Sequence, residues 1–228
     1  MNKPKQLTFP WNKVNKSSLE GFYTSQENLH LVSILKDTNF SDDLFIYGTK
    51  ESGKTFLLQA LCNSYSSMGK SSLYIPLNKV MNYGVEIFES LENMNLICVD
   101  GIEKAISKIE WEKAIFNLIN KALISKSRLI LSSSQDLKSL NFALPDLESR
   151  IRKIQSFELY PINDKDIFDA LKYISKLTSI NLGDKEVKYL VTYSQRNISN
   201  LVQILESLDQ LSMEMKRKIT IPLIKEVI

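Results

Sequence analysis

Short apolar runs alternate with amphipathic segments from residue 27 to about residue 160. Segments with apolar residues at helical spacing, such as 27–36 and 111–124, separate runs that have the Val, Ile, Leu and aromatic content of buried strands. Those runs, the five predicted strands, lie at 44–47, 72–75, 96–99, 128–132 and 155–159. Alternating strands and helices predict an α/β fold in which helices cover both faces of a parallel sheet.

After Pro161 the strand pattern ends and only helical periodicity remains. Asn163 and Asp184 stand where they can cap the first two predicted helices, and Pro222 suits the first turn of a last short helix. The three longer helices are predicted from apolar positions within 167–177, 187–191 and 198–211. The chain therefore changes at this point from an α/β organisation to an all-helical one.

These patterns divide the chain into three parts. Residues 1–15 combine lysines and prolines with no hydrophobic period, which is typical of a flexible tail. Residues 16–160 hold the alternating strands and helices, and residues 161–228 hold only helices. We therefore expect a tail, an α/β domain and a small all-helical domain, in that order.

The composition limits the classes of function that the chain can have. Its 228 residues are 43% hydrophobic and 24% charged, as in an ordinary globular protein, and the net charge of +3 does not mark a dedicated nucleic-acid binder. One histidine and two cysteines exclude most histidine metal sites and a disulfide framework. No apolar run approaches the ~18–20 residues of a membrane span. We expect a cytoplasmic protein with no secretion signal and no membrane partner.

The sequence GTKESGKT at 48–55 matches G-x-x-x-x-G-K-[ST] and lies between a predicted strand and a predicted helix. In this motif the backbone N–H groups of the loop and the helix N-terminus point at phosphate oxygens. Lys54 reaches the β and γ phosphates, and Thr55 offers its hydroxyl to Mg²⁺. We therefore predict that the loop binds ATP or ADP together with Mg²⁺. Its residues are Gly48, Thr49, Lys50, Glu51, Ser52, Gly53, Lys54 and Thr55.

Asp100 ends the third predicted strand, where an acidic side chain can hold Mg²⁺ through water; an ordinary Asp-Gly turn is the alternative. The strand at 72–75 separates it from the phosphate loop, which is typical of the large ATPase class with an inserted strand. Many such ATPases have a second acid at the next position, but this chain has Gly101, and we expect Glu103 to face elsewhere. The pattern favours a nucleotide-switched binding protein with weak or no ATPase activity of its own.

Several motifs together resemble the family of the bacterial replication initiator DnaA and its shorter Hda-type regulators. They are the phosphate loop, LICVDGIE at 96–103, WEKAIFNLIN at 111–120, LPDLESRI at 144–151 and KITIPLIKEVI at 218–228. The resemblance covers nearly the whole chain and implies an AAA+ fold, with a five-stranded parallel sheet domain followed by a helical lid. Because the sequence ends at Ile228, directly after the lid, we expect no DNA-binding domain of the DnaA kind.

The resemblance implies a role for Arg150, which stands in LPDLESR where the family has its arginine finger. A guanidinium suits this role because it stays charged and its fork fits phosphate oxygens. Supplied in trans, it would reach the ATP bound to DnaA rather than the nucleotide of its own chain. A salt bridge to Glu148 or Asp146 is the alternative, and Arg152 is a neighbouring candidate for the finger.

The N-terminal tail resembles a sliding-clamp-binding peptide, at the place where Hda-type regulators carry theirs. Its candidate contacts are Gln6, Leu7, Phe9, Pro10 and Trp11. Gln6 can bond a polar ledge of the clamp while the apolar side chains fill a pocket, so that few residues supply most of the binding energy. A tail that packs Phe9 and Trp11 on its own domain is the alternative.

Further contacts around the base follow from the same resemblance. Phe22 and Tyr23 would frame the adenine ring, with Asn28 beside it. The alternative for Asn28 is the N-cap of a helix, because asparagine is a preferred residue there. The sequence thus predicts that the segment 22–28 lies at the nucleotide.

Two sensor positions depart from the family pattern. Three serines, Ser132 to Ser134, stand where the first sensor has an acid or asparagine in many relatives. In the lid, Ser199 occupies the position of the arginine of the second sensor. Arg196 lies one helical turn earlier and either replaces that arginine or lies on the surface.

These implied roles predict a regulator that inactivates the initiator. It would bind ADP or ATP, dock on the β-subunit sliding clamp loaded on DNA, and present Arg150 to the ATP of DnaA. It would then contact DNA through the clamp, associate with the nucleoid and repress re-initiation of chromosome replication. A homo-oligomer is left open. The alternatives are an AAA+ helicase loader, a DnaA-binding scaffold that stimulates no hydrolysis, and a metabolic P-loop enzyme.

Overall fold

The computed structural model describes residues 17–91 and 93–228. Its strands are β1 (Leu44–Tyr47), β2 (Ser72–Pro76), β3 (Leu96–Asp100), β4 (Arg128–Ser133) and β5 (Gln155–Glu158). They pair in parallel to form one sheet in the order β2-β3-β4-β1-β5. The predicted α/β fold with a five-stranded parallel sheet is confirmed, and every strand begins at the first residue of its apolar run.

The helices occupy the segments between the strands and the whole of the chain after β5. They are α1 (Leu29–Lys36), α2 (Lys54–Ser67), α3 (Leu77–Val80), α4 (Ile109–Ser125), α5 (Pro145–Ile151), α6 (Ile167–Leu177), α7 (Asp184–Tyr193), α8 (Ile198–Met215) and α9 (Ile221–Lys225). Short 3₁₀ turns lie at Gln26–Asn28, Met81–Tyr83, Val85–Phe88 and Ile102–Ala105. Over the ranges 17–91 and 93–228, no helix is long and apolar enough to cross a lipid bilayer.

Successive side chains of each strand face opposite sides of the sheet, so the apolar runs supply two cores. On one side, Phe45 and Leu131 pack with Ile115 of α4. On the other side, Ile46 and Cys98 pack with α2. Because both faces of the sheet are covered, apolar residues occupy successive positions of the strands and not only alternate ones. Burying each such side chain stabilises the fold by about 1.5–3 kcal/mol.

A third core lies among α6 to α9. Leu171, Leu190, Leu201 and Ile224 are all fully buried there, from four different helices. Pro222 lies in the first turn of α9, as its sequence position predicted. This cluster is separate from the two sheet cores. The exact domain boundaries, at 15/16 and 160/161, stay predictions.

The helix caps differ from the predicted ones. Asn163 does not cap α6: its Oδ1 accepts from Lys165 N and Asp166 N, both at 3.0 Å, and so closes the turn that precedes the helix. Asp184 is the first residue of α7, and its carboxylate pairs instead with Lys172 of α6 at 2.5 Å. Both cap predictions are wrong because short polar side chains near a helix start have competing local and tertiary partners.

Candidate functional site

The carboxyl ends of β1, β3 and β4 meet at one edge of the sheet because parallel strands run in the same direction. The phosphate loop leaves β1 at Gly48 and leads into α2 at Lys54. Asp100 ends β3, and Ser133 ends β4. The backbone N–H of Gly48 donates to the Ser133 carbonyl at 3.3 Å, which joins the loop to the neighbouring strand. In open α/β sheets, ligands bind at this edge.

Two glycines of the loop are required by close contacts. Gly53 has φ +100°, in the left-handed region, and a Cβ there would lie 2.7 Å from the ring of Phe22. Gly48 is buried, and its Cβ would overlap the carbonyl oxygen of Leu159 and lie 3.0 Å from Ser52 Oγ. The loop is thus held between β5 and the aromatic ring of Phe22, with no room for larger residues.

We predict that Gly48→Ala destabilises the protein by about 1–3 kcal/mol, because the Leu159 carbonyl belongs to the backbone and cannot rotate away. Gly183→Ala is the matched control, since its Cβ would meet only the mobile end of Glu186. Urea unfolding followed by circular dichroism measures both variants. Equal midpoints for the two variants would contradict this reading of the loop.

Lys54 directs its ammonium group back into the loop. Its Nζ donates to the carbonyls of Gly48 and Thr49, both at 2.7 Å, and to Ser52 Oγ at 3.3 Å. Burial lowers the pKa of Lys54, while the charges of Asp100 and Glu103 oppose this shift. The ammonium is therefore held inside a ring of loop atoms, in the position that a phosphate-binding lysine needs.

Asp100 accepts hydrogen bonds from hydroxyl groups of three different elements. Its Oδ2 accepts from Thr55 Oγ1 at 2.6 Å and from the Tyr74 hydroxyl at 2.7 Å, and its Oδ1 accepts from Ser132 Oγ at 2.5 Å. Thr55 and Asp100 are hard oxygen ligands held side by side, which is the donor set that Mg²⁺ prefers next to nucleotide phosphates. The residues present thus fit Mg²⁺, with Thr55 as a ligand and Asp100 beside it.

Tyr74 is a member of this site that the sequence analysis missed. Burial and the neighbouring Asp100 carboxylate raise the pKa of Tyr74, so its phenol stays protonated and acts as the donor. The signal available in the sequence was a tyrosine between two apolar residues of the predicted strand at 72–75. Only the pairing of β2 with β3 gives that hydroxyl its partner.

The three serines at the end of β4 have separate roles. Ser132 is fully buried and bonds Asp100, and Ser133 Oγ accepts from Gln135 N at 2.9 Å in the turn that follows the strand. Ser134 is exposed and donates to the carboxylate of Glu103 through Oγ at 2.9 Å and through its backbone N–H at 3.3 Å. A sensor role for these serines stays a prediction, but two of them orient acidic groups at the site.

Glu103 does not face away from this edge, so that prediction is wrong. Gly101 has φ +84° and turns the chain into the 3₁₀ segment Ile102–Ala105. That turn brings the carboxylate of Glu103 back to Ser134 at the end of β4, and its charge acts on Lys54. Sequence reasoning missed this return because a left-handed glycine reverses the direction that a continuing strand would take.

The segment predicted to frame the base is placed by contacts of its own. Phe22 lies against the phosphate loop at Gly53, and its ring centroid is 6.1 Å from that of Phe56 in α2. Tyr23 meets Tyr173 of α6 edge to face at 5.8 Å. The adenine contacts stay predictions, although this geometry places Phe22 at the loop and Tyr23 against the lid helices.

Asn28 is 1% exposed and uses its side chain on the backbone of Tyr160. Its Nδ2 donates to the Tyr160 carbonyl at 2.9 Å, and its Oδ1 accepts from Tyr160 N at 3.0 Å. Asn28 does stand at the N-cap position of α1, as the alternative predicted, but its side chain makes no cap hydrogen bond to that helix. Because both polar atoms are paired, Asn28 fixes the chain where it leaves the sheet, and an adenine role for it stays a prediction.

The N-cap residue of the lid helix α8 contacts the phosphate loop. Asn197 caps α8 by accepting from Ser199 N at 2.8 Å, and its Nδ2 donates to Glu51 of the loop. Arg196 is exposed and lies 3.8 Å from the exposed Asp164. Arg196 therefore has a surface ion pair, which is worth less than about 1 kcal/mol, and Ser199 supplies only its backbone to the cap.

Arg150 lies on α5, which packs against α4. Arg152 forms a salt bridge with Glu148 at 2.5 Å, and the alternative salt bridge between Arg150 and Glu148 is not formed. In the part of the chain that the structure describes, partly buried Arg150 has no ion pair. It lines an open cavity of about 370 Å³ together with Phe116, Asp146, Ser149 and Lys153.

A fully buried carboxylate, missed by the sequence analysis, holds the start of this helix. Glu112 is 0% exposed. It accepts from Leu144 N at 2.7 Å, from Ser107 N at 2.9 Å and from Ala143 N at 3.1 Å. Leu144 is the N-cap residue of α5, so Glu112 joins α4 to the helix that carries Arg150.

The predicted clamp-binding residues 6–11 lie outside the described residues.

Two family profiles match the chain. One is described as an AAA domain and matches residues 42–168, which is more than half of the chain. The other is described as the lid domain of Hda and matches residues 164–228. An uncharacterized protein of Haemophilus influenzae is 32% identical in a 227-residue alignment that covers 98% of each chain.

Solved structures of DnaA share the fold. AMPPCP-bound DnaA from Aquifex aeolicus superposes with a TM-score of 0.73 at 21% identity, over 86% of this chain and 65% of that one. Domain III of DnaA from Thermotoga maritima gives a TM-score of 0.73 at 18% identity, over 94% of this chain and 98% of that one. The chain thus spans about two thirds of the Aquifex chain.

The sheet order, the phosphate loop after β1 and the matching AAA profile together define a nucleotide-binding protein of the AAA+ class. The lid profile then makes the assignment more specific. The chain belongs to the AAA+ family and has a lid of the Hda type, as the motifs in the sequence predicted.

Proposed function

We propose that this protein is a regulator that promotes hydrolysis of the ATP bound to the initiator DnaA and so represses re-initiation of chromosome replication. The observation that carries the proposal is the position of Arg150. It has no ion pair among the described residues and lines an open cavity, whereas the neighbouring Arg152 is paired with Glu148. A guanidinium kept free in this way is suited to bind phosphate oxygens of another molecule.

The placement of α5 supports action in trans. Leu147 and Ile151 of α5 belong to the core on one side of the sheet, together with α4. The helix that follows the phosphate loop, α2, packs on the opposite side through Leu57 and Leu61. Arg150 and α2 are therefore on different faces of the sheet, which favours a finger that serves the nucleotide of a neighbouring molecule.

The protein's own site has a binding role in this proposal. Lys54 and the loop amides would hold the phosphates of ADP or ATP, and Thr55 and Asp100 would hold Mg²⁺, which neutralises phosphate charge when it is bound. Gly101 replaces the second acid that would activate water, so we propose weak or no hydrolysis by the chain alone. Nucleotide then acts by ordering the loop and the lid that contacts it through Asn197 and Glu51.

We also propose the partners that this role needs. Residues 6–11 would dock on the β-subunit sliding clamp, so that DNA is contacted through the clamp and the protein works in the cytoplasm at the nucleoid. Tethering raises the effective concentration of Arg150 near DnaA without any new contact. The arrangement needs one finger for each molecule of DnaA, and it leaves open whether the protein is a homo-oligomer.

The test is hydrolysis of labelled ATP bound beforehand to the cognate DnaA, in the presence of clamp loaded on DNA. We expect the wild-type protein to stimulate hydrolysis, and Gln6→Ala/Leu7→Ala to lose most of the stimulation at low protein concentration. Raising the concentration of this tail variant should restore the activity, because the tail supplies only the tether.

Two results would contradict the proposal. Clamp binding without stimulation by the wild type would favour a DnaA-binding scaffold. A wild type that neither binds the clamp nor stimulates hydrolysis would favour a helicase loader. A screen of small-molecule phosphate acceptors distinguishes a metabolic enzyme from all of these.

A further inference from the structure

The Tyr74 hydroxyl reaches the end of the neighbouring strand. Tyr74 pairs with Cys98 in the β2–β3 register, and Asp100 lies two residues beyond Cys98. Residues two apart on a strand share a face of the sheet, so Tyr74, Cys98 and Asp100 all face α2. A tyrosine side chain is long enough to lean along the strand, and its hydroxyl donates to Asp100 Oδ2 at 2.7 Å.

Each donor to Asp100 has a different place in the site. Thr55 and Tyr74 share Oδ2, whereas buried Ser132 holds Oδ1. A carboxylate offers about four lone-pair positions on its two oxygens, so Oδ2 can accept both hydroxyls at once. Thr55 is itself a Mg²⁺ ligand in this kind of site. Tyr74 is therefore the one of the two donors on Oδ2 that does not also serve the metal.

We propose that Tyr74 is a positioning residue of the Mg²⁺–nucleotide site, whose hydroxyl orients the Asp100 carboxylate toward Thr55 and so sets how strongly Mg²⁺ binds. The inference rests on the proposed nucleotide site. Groups that orient a metal ligand without touching the metal commonly change metal affinity by about 10-fold or more when they are lost. Phenylalanine at position 74 would keep the ring in its place and remove only the hydroxyl.

The experiment compares binding of a fluorescent ADP analogue by the wild type and by Tyr74→Phe, in EDTA and across a Mg²⁺ titration. In EDTA the two proteins should bind the nucleotide with the same affinity. The Mg²⁺ concentration at half-saturation should rise about 10-fold in Tyr74→Phe. Binding of Mn²⁺ to the ADP complex, followed by electron paramagnetic resonance, should weaken by the same factor and gives a direct readout of the metal.

Two further variants separate positioning from a general loss of structure. Tyr65→Phe removes the hydroxyl of another tyrosine in the same core, whose partner is Arg128 at 3.4 Å, and should titrate with Mg²⁺ like the wild type. In a protein that already carries Asp100→Asn, the further change Tyr74→Phe should not alter the Mg²⁺ titration, because the hydroxyl acts through the Asp100 carboxylate. This double-mutant cycle isolates the Tyr74–Asp100 interaction.

The outcomes that overturn the inference differ from those that overturn the proposed function. If the wild type responds to Mg²⁺ and Tyr74→Phe gives the same titration, the inference is wrong. It is also wrong if Tyr74→Phe loses affinity equally in EDTA, or if its effect persists in Asp100→Asn. If the wild type binds ADP equally with and without Mg²⁺, the proposed metal site itself is wrong.

Discussion

Arg150→Ala is expected to reduce the stimulated hydrolysis of DnaA-bound ATP by about 10³-fold or more, which is the contribution of an arginine finger supplied in trans. The charge that develops on the transferred phosphoryl oxygens would lose its guanidinium partner. Arg150→Lys should recover little of the rate, because a lysine is a point charge and cannot form the bidentate fork. The measurement is single-turnover release of phosphate from labelled DnaA–ATP, with clamp and DNA present.

The neighbouring residues supply the controls. Arg152→Ala removes a cation two positions away that is already paired with Glu148, and should leave the stimulation within about twofold because exposed ion pairs contribute little. Binding of Arg150→Ala to DnaA and to the clamp should be close to that of the wild type. Equal losses in Arg150→Ala and Arg152→Ala would indicate a general electrostatic contact and not a finger.

Glu112→Ala is expected to destabilise the protein by about 3–5 kcal/mol, because three backbone N–H groups would lose their acceptor and the buried side chain would leave a cavity. The carboxylate is 0% exposed and accepts from three backbone N–H groups, of Ser107, Ala143 and Leu144. Alanine would leave these donors without a partner, and each buried unsatisfied group costs about 1–3 kcal/mol. Because Leu144 is the N-cap residue of α5, stimulation through Arg150 should fall as well.

Urea unfolding followed by circular dichroism measures this loss. Glu110→Ala is the matched control, since Glu110 is an exposed acidic residue in the first turn of the same helix and should contribute less than about 1 kcal/mol. Glu112→Gln should fall between the two, because one amide oxygen remains as an acceptor while its NH₂ faces backbone donors. Equal stabilities of Glu112→Ala and Glu110→Ala would contradict the assignment.

The strands and the phosphate loop were predictable because their signals are local. A parallel strand covered on both faces must be apolar at successive positions, so runs such as 44–47 and 96–99 are visible without any knowledge of the fold. The loop at 48–55 is equally local, because consecutive residues form it. The helix caps were less predictable: Asn163 closes a turn before α6, and Gly183 rather than Asp184 is the N-cap residue of α7.

The arrangement around Asp100 was only partly predictable. Its role beside Thr55 follows from the motif, but Tyr74 and Ser132 reach it only through strand pairing. Glu103 illustrates the opposite error, since its spacing from Asp100 suggested that it faces elsewhere. The left-handed turn at Gly101 returns it to Ser134.

The sequence by itself therefore determined the α/β class, the five parallel strands, the phosphate loop and the family, since each depends on residues that are close together along the chain. Only the tertiary structure decided which side chains support them. Glu112 beneath α5, Tyr74 beside Asp100 and Asn197 against Glu51 join segments far apart in sequence. Such contacts form because a buried or confined polar group must find a partner wherever the packing brings one within reach, and no periodicity in the chain records that partner.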